Sequence, residues 1–199
     1  KRVGQELGGK SANILLIDTD IEKAVKDGVE YMMNNSGQSC NAPTRMLVPK
    51  SKLDVAIDAA KQAAENIGVD EPTKHGDHIG PVVNKVQFDK IQALIQTGID
   101  EGATLVTGGI GRPDHLPTGY YVKPTIFANV DNQMTIAREE IFGPVLVIIG
   151  YEGEDEAVAI ANDSDFGLAA YISTTEMERA KVVARRLRAG QVAINYVGG

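Results

Sequence analysis

The chain contains a single cysteine, Cys40, and it stands in the stretch NNSGQSCNAPTR (34–45) among small and polar residues. A thiol attacks as its thiolate, so a nucleophilic role needs access to a substrate and a neighbour that takes the proton. The GQSC turn supplies access, because small neighbours leave backbone N–H groups open to an incoming oxyanion. It supplies no base of its own, and a lone cysteine is more often an inert small hydrophobe. A second stretch, GQELGGKS (4–11), sets Glu6 just ahead of a Gly-Gly pair that allows other groups close to the backbone. The plainer account is a surface glutamate in a flexible loop. Gly8-Gly9-Lys10-Ser11 is not a phosphate-binding P-loop, because the G-x-x-x-x-G-K-[ST] spacing is absent. A third stretch, REEIFGPV (138–145), places Glu139 and Glu140 before Ile-Phe-Gly-Pro and an apolar strand. A helix end, a Gly-Pro turn and a core Phe142 would explain it. Glu140 and Phe142 gain chemical interest only if something has to be gripped there.

The elements that would position these residues alternate between strand-like and helix-like patterns. NILLI (13–17) reads as a strand, followed by N-cap candidates at Asp18, Thr19 and Asp20. Ile21, Ala24, Val25, Val29, Met32 and Met33 then recur at helical spacing. That helix should fade over 34–37, where Gly37 readily takes a left-handed conformation, leaving Cys40 in the turn beyond. TRMLVP (44–49) is the next strand, and Ser51 with Asp54 resembles a capping box for the helix that follows. Asn84 with Gln87 starts another helix. Further strands are expected at 103–108, 121–130, 144–151, 168–173 and 191–195, with helices around 157–161 and over 175–188. The Gly/Pro-rich stretch 108–119 reads as a long surface loop. Such alternation predicts an α/β domain with a largely parallel sheet and right-handed crossovers.

Composition removes several classes of function. A net charge of -7 and an aromatic content of 5% without Trp speak against binding nucleic acid, which needs basic footprints and stacking platforms. No apolar run approaches a membrane span, the longest being VLVIIGY (145–151). The opening KRVGQELGGK has no apolar core of a signal peptide. One cysteine cannot form an internal disulfide, which suits a reducing, cytoplasmic setting and rules out a multi-Cys metal site. His75, His78 and His115 lie in Pro/Gly-rich connections and read as solvated loop residues, so no metal is expected.

Together and in this order, ELGGK (6–10), GQSC (37–40) and EEIFGPV (139–145) resemble the three catalytic-half signatures of the aldehyde dehydrogenase superfamily. The separation of Glu6 from Cys40 is also the family's. ANDSDFGLAAYIST (161–174) and AGQVAIN (189–195) look like its later segments, so the resemblance covers essentially the whole chain. It implies the family's α/β catalytic domain, a largely parallel sheet flanked by helices. Cys40 would be the nucleophile, forming a thiohemiacetal and then a thioester, with its backbone N–H in the oxyanion hole. Glu6 would be the general base for hydrolysis. Glu140 would hold the nicotinamide ribose hydroxyls of NAD or NADP and Phe142 would pack near the ring, with Leu7 and Gly8 bordering the cofactor. Gln5 and Met33 depart from the residues common in the family, which loosens any inference about the aldehyde.

The resemblance also implies what the chain lacks. Residues 1–6 would lead in from a cofactor domain that nothing in the chain matches, and 7–199 would be the catalytic domain, stopping before the family's C-terminal tail. The full-length enzyme would be a homodimer or homotetramer acting on a small-molecule aldehyde, with no nucleic-acid or membrane partner. The isolated 199 residues are expected to lack dehydrogenase activity. The competing readings are a non-catalytic assembly module of the same fold and a cofactor-independent thiol esterase.

Overall fold

Successive side chains of a strand point to opposite faces, so a sheet covered on both sides needs strands that are apolar throughout. The computed structural model describes residues 1–195 and shows this for its central strands. Residues 196–199, the far end of the expected 7–199 domain, lie outside the described residues. Along the chain, β1 (Ala12–Leu15) leads to α1 (Ile21–Met33), β2 (Arg45–Pro49) to α2 (Leu53–Glu65), and a short pair β3 (Gly68–Val69) and β4 (His78–Ile79) to α3 (Lys85–Asp100). There follow β5 (Thr104–Thr107), β6 (Thr125–Ala128), α4 (Thr135–Arg138), β7 (Val145–Tyr151), α5 (Glu154–Asn162), β8 (Ala169–Ser173), α6 (Met177–Ala184) and β9 (Gln191–Ile194).

Seven strands form one sheet in the order β5-β6-β7-β2-β1-β8-β9, parallel throughout except for β5, which runs antiparallel to β6 at the edge. The α/β class and the largely parallel sheet read from the sequence are therefore present. Alternation along β7 divides the core in two. Val145, Val147 and Ile149 pack with Ile91 and Ile95 of α3, Ala157 of α5 and Val183 of α6. Leu146 and Ile148 join Val29 and Met32 of α1 and Ala56 and Ala60 of α2. Each fully buried Val, Leu, Ile or Met among these contributes about 1.5–3 kcal/mol. Among the described residues no helix is long and apolar enough to cross a membrane.

Several local expectations need correction. The Ser51–Asp54 box does not form: a 3-10 turn, Lys50–Lys52, precedes α2 and no side chain caps it. Ser51 lies inside that turn, which closes with the Leu53 amide on the Lys50 carbonyl, and so is not the extended residue that an N-cap requires. Strand β6 is shorter than 121–130, because Pro124 has no N–H to give and Asn129 turns away at φ +53°. Helix α6 ends early: the Arg186 and Leu187 amides tighten to i−3 carbonyls, and the Arg188 amide leaves for the Asn162 side chain at 2.7 Å. The 108–119 loop is real but pinned, with the Gly111 amide on Gln92 Oε1 at 2.6 Å and the Arg112 guanidinium 4.5 Å above the Phe88 ring. Two of the loop histidines are also tied down: the rings of His78 and His115 hydrogen-bond the Glu71 and Val69 carbonyls.

At the C-terminal edge of the sheet, Asp18 binds the start of α6. Its Oδ2 accepts from Thr174 Oγ1 at 2.6 Å, from the Thr175 amide at 2.6 Å and hydroxyl at 2.7 Å, and from the Glu176 amide at 3.2 Å. Arg179 adds an ion pair at 3.3 Å. Burial alone would push the Asp18 carboxyl up, but the Thr174 and Thr175 hydrogen bonds outweigh it and hold the carboxyl well below the usual carboxylate range. A depressed folded-state pKa stabilises the fold above the unfolded value, about 3.9, and that contribution is lost as pH falls through the folded value. Asp18→Ala should therefore cost about 2 kcal/mol in urea denaturation at pH 7. Its deficit relative to the parent should shrink as pH is lowered below about 4.

Candidate active site

Strands β7, β2 and β1 are neighbours, and each of the three chemical stretches leads into one of them. Gly8 and Gly9 precede β1, the Cys40 turn precedes β2, and Glu140 to Gly143 precede β7. Ala12 pairs with Arg45 and Arg45 with Val147, so the three lead-ins emerge side by side. Residues more than a hundred positions apart thus meet at the N-terminal edge of the sheet. Doubly wound sheets usually bind ligands at the opposite, C-terminal edge.

The three segments touch through backbone and through the Glu140 carboxylate. The Gly9 amide donates to Glu140 Oε1 at 2.9 Å. A Cβ on Gly9 would lie 2.1 Å from the Cys40 carbonyl oxygen, and one on Gly8 would lie 2.7 Å from Glu140 Oε2. Gly37 has φ +70°, and its Cβ would lie 2.1 Å from the Gly143 carbonyl oxygen. The left-handed run begins earlier than the sequence indicates, at Asn35 (φ 53°) and Ser36 (φ 57°). Side chains hold it there. Asn35 Nδ2 donates to the Gln38 carbonyl at 2.9 Å, Ser36 Oγ to the Gly80 carbonyl at 2.7 Å, and Gln38 Oε1 accepts from the Val83 amide at 2.9 Å. Cys40 follows, exposed, and among the described residues its amide and that of Asn41 donate to no protein acceptor. The Asn41 carbonyl is fixed by the Tyr171 hydroxyl at 3.0 Å.

The structure thus brings Gly8, Cys40 and Glu140 together. Glu6 and Leu7 are exposed, and no hydrogen bond joins the Glu6 carboxylate to Cys40 or to another described residue. Phe142 is not the core residue of its turn. That place belongs to Ile141, which is fully buried, while Phe142 is half-buried at φ +56°. Two residues of α3 that sequence reasoning gave no place in the site grip this turn. Gln87 Nε2 donates to the Ile141 and Phe142 carbonyls, both at 2.8 Å, and Lys90 Nζ donates to the Glu140 carbonyl at 2.7 Å. Gln87 was visible in the sequence only as a partner of the Asn84 cap. Asn84 caps the Gln87 amide at 2.9 Å, leaving the Gln87 side chain free for this second task.

Behind the glycines the charge is unusual. Lys10 is fully buried, and burial, followed by the Arg45 charge, lowers it to about 7 against the opposing pull of Glu140 and Glu139. Arg45 is also buried and lowered to about 10, chiefly by desolvation. Its guanidinium donates to the carbonyls of Lys10 at 2.9 Å, Ile160 at 2.9 Å and Ala161 at 2.8 Å, and to Asn132 Oδ1 at 2.8 Å.

A sequence profile described as the Aldehyde dehydrogenase family matches residues 1–198. The chain belongs to that family. It is 55% identical, over 195 residues, to a 3-succinoylsemialdehyde-pyridine dehydrogenase of a Pseudomonas species, covering 98% of this chain and 41% of that protein. A putative aldehyde dehydrogenase of Staphylococcus haemolyticus is 48% identical over 198 residues, 100% of this chain and 42% of its own length. Among solved structures, a mutant of aldehyde dehydrogenase C from Pseudomonas syringae, in complex with NAD+ and octanal, superposes with a TM-score of 0.96 at 52% identity. It is covered over 40% of its chain, against 98% of this one. A Mycobacterium tuberculosis aldehyde dehydrogenase complexed with NAD+ gives a TM-score of 0.93 at 44% identity, over 96% of this chain and 39% of its own. The chain therefore spans well under half the length of these family members.

The close approaches make a sharp prediction about the glycines. Gly9→Ala and Gly37→Ala should each destabilise the protein by about 1–3 kcal/mol in chemical denaturation, because the blocking atoms are backbone carbonyls that cannot step aside. Gly4, where an added methyl would meet nothing within 4 Å, provides the control. Gly4→Ala should change stability by less than about 0.5 kcal/mol.

Proposed function

We propose that this chain supplies the nucleophile and part of the cofactor grip of an NAD(P)-dependent enzyme that oxidises an aldehyde to a carboxylic acid. The observation that carries the reading is the meeting of an exposed thiol, a free amide beside it and the Glu140 carboxylate at one sheet edge. The family relationship supports it, as do the NAD+ and octanal named for the Pseudomonas syringae structure.

The residues present fit one end of a nicotinamide dinucleotide. Glu140 commits Oε1 to the Gly9 amide, which fixes the carboxylate and leaves Oε2 facing Gly8 as an acceptor for a sugar hydroxyl. Gly8 carries no side chain to fill that space. Gln87 and Lys90 hold the backbone from which Glu140 and Phe142 project. When bound, the nicotinamide ring accepts the hydride.

Cys40 attacks the aldehyde carbon as thiolate, and the carbonyl oxygen takes the negative charge of a thiohemiacetal. The Cys40 amide, which has no protein acceptor of its own among the described residues, donates to that oxygen. Such a donor, placed where charge develops, lowers the barrier to hydride departure. Loss of hydride leaves a thioester on Cys40. Glu6, exposed and without a partner among the described residues, swings in and takes a proton from the water that hydrolyses it. The acid leaves and the thiol is restored.

In the polypeptide that carries this chain, Cys40→Ala should abolish aldehyde oxidation while leaving the thermal melt unchanged. Glu6→Gln should still be alkylated at Cys40 by iodoacetamide, yet turn over roughly 10²–10⁴-fold more slowly. Steady-state turnover at the parental rate in either variant would refute these two roles. Should Cys40 in the parent be alkylated at pH 7 no faster than free cysteine, the non-catalytic module of the same fold becomes the better reading.

A further inference from the structure

Tyr171 of β8 reaches into the Cys40 turn from far along the chain. It is buried opposite Asn13 of β1, and the Tyr31 ring of α1 packs edge-on against it with centroids 5.7 Å apart. Its hydroxyl donates to the Asn41 carbonyl at 3.0 Å, and among the described residues no other side chain hydrogen-bonds 39–42. A buried tyrosine needs an acceptor, and any carbonyl would meet that need. The one it takes has a particular place in the turn. The Asn41 carbonyl shares a rigid peptide plane with the Ala42 amide, which donates to the Ser39 carbonyl at 3.0 Å. The Ser39 carbonyl shares the next plane with the Cys40 amide, which has no protein acceptor among the described residues.

Hydrogen bonds therefore run from the Tyr171 hydroxyl through two peptide units and end on the Cys40 N–H. In such a chain each peptide that accepts at oxygen becomes a better donor at nitrogen. Fixing the oxygen of a planar unit also limits where its N–H can point. The Gly9 backbone lies against the Cys40 carbonyl, so the turn is braced there by main chain and at Asn41 by Tyr171. On the reading that the Cys40 amide receives the thiohemiacetal oxygen, we infer that Tyr171 is a positioning residue for this oxyanion donor. Its hydroxyl aims and polarises the Cys40 amide without touching substrate.

The test compares Tyr171→Phe with the parent in the full polypeptide. Phenylalanine keeps the ring against Tyr31 and removes only the hydroxyl. Oxidation of hexanal should show kcat lower by roughly 10- to 100-fold with KM unchanged, because the weakened interaction is made in the transition state. Hydrolysis of p-nitrophenyl acetate, which also passes through an oxyanion on carbon, should slow by a similar factor. Alkylation of Cys40 by iodoacetamide displaces iodide and develops no oxyanion, so its rate should match the parent's. A merely structural tyrosine predicts that alkylation, ester hydrolysis and melting temperature change together or that none changes, and either result would overturn the inference. If Tyr171→Phe does not fold, Tyr31→Leu takes its place by removing the ring that buttresses Tyr171. The same split between oxyanion-forming reactions and alkylation is then expected, and parental rates throughout would count against it. Cys40→Ala keeps the two questions apart. Turnover retained in Cys40→Ala removes the nucleophile reading itself, whereas an inactive Cys40→Ala beside a Tyr171→Phe of parental kcat removes only the role of Tyr171.

Discussion

Arg45 takes a positive charge into the interior, and the N-terminal edge of the sheet is arranged around that fact. A guanidinium has five donors in a fixed plane and cannot shed its proton in a protein, so its acceptors have to come to it. In this fold they come from the segment before β1, the turn before α4 and the end of α5. Three of the four are main-chain carbonyls, which makes the anchor one of backbone position. Taking one acceptor away leaves a buried charged donor unsatisfied, which typically costs about 1–3 kcal/mol or more. The Lys10 carbonyl is among the acceptors, so the strand that carries the glycine pair is fastened one residue from where it meets Cys40 and Glu140.

That fastening explains why the segments at this edge can be so bare. The Gly9 backbone sits between the Cys40 carbonyl and the Glu140 carboxylate, a fit that any side chain would destroy. The same holds for Gly37 against Gly143. The scaffold achieves its precision with main chain against main chain. Side chains at this edge are then left without structural duties: the exposed Cys40 thiol, the Glu6 carboxylate, which has no partner among the described residues, and one oxygen of Glu140.

Much of this was legible in the residues. The central strands announced themselves as short apolar runs, and the helices by their 3.6-residue stripes, because burial on both faces of a parallel sheet demands that pattern. Asp20 and Asn84 capped as expected, since their side chains reach the Lys23 and Gln87 amides. What escaped were outcomes decided by long-range contact. Phe142 looked like the core residue of its turn by size, yet the backbone turns left-handed there and Ile141 goes inward instead. Gln87 was read locally, although its side chain serves carbonyls 54 and 55 positions away. The three motifs could be lined up in sequence, but only the strand order β7-β2-β1 shows why they meet.

The Gly9 to Glu140 hydrogen bond spans 131 residues. Loop closure over such a distance is entropically unfavourable and comes late, after the local helices and their neighbouring strands have formed. The site therefore cannot exist in a partly assembled chain: until β7 has docked beside β2, the Gly9 amide has no carboxylate to bind. The thiol, by contrast, sits on a turn only seven residues past α1 and is present from the first stages of folding. A newly made chain would thus pass through a period in which its cysteine is exposed without the surroundings that direct it. The contact between Gly9 and Glu140 beside it forms only once β7 lies next to β2.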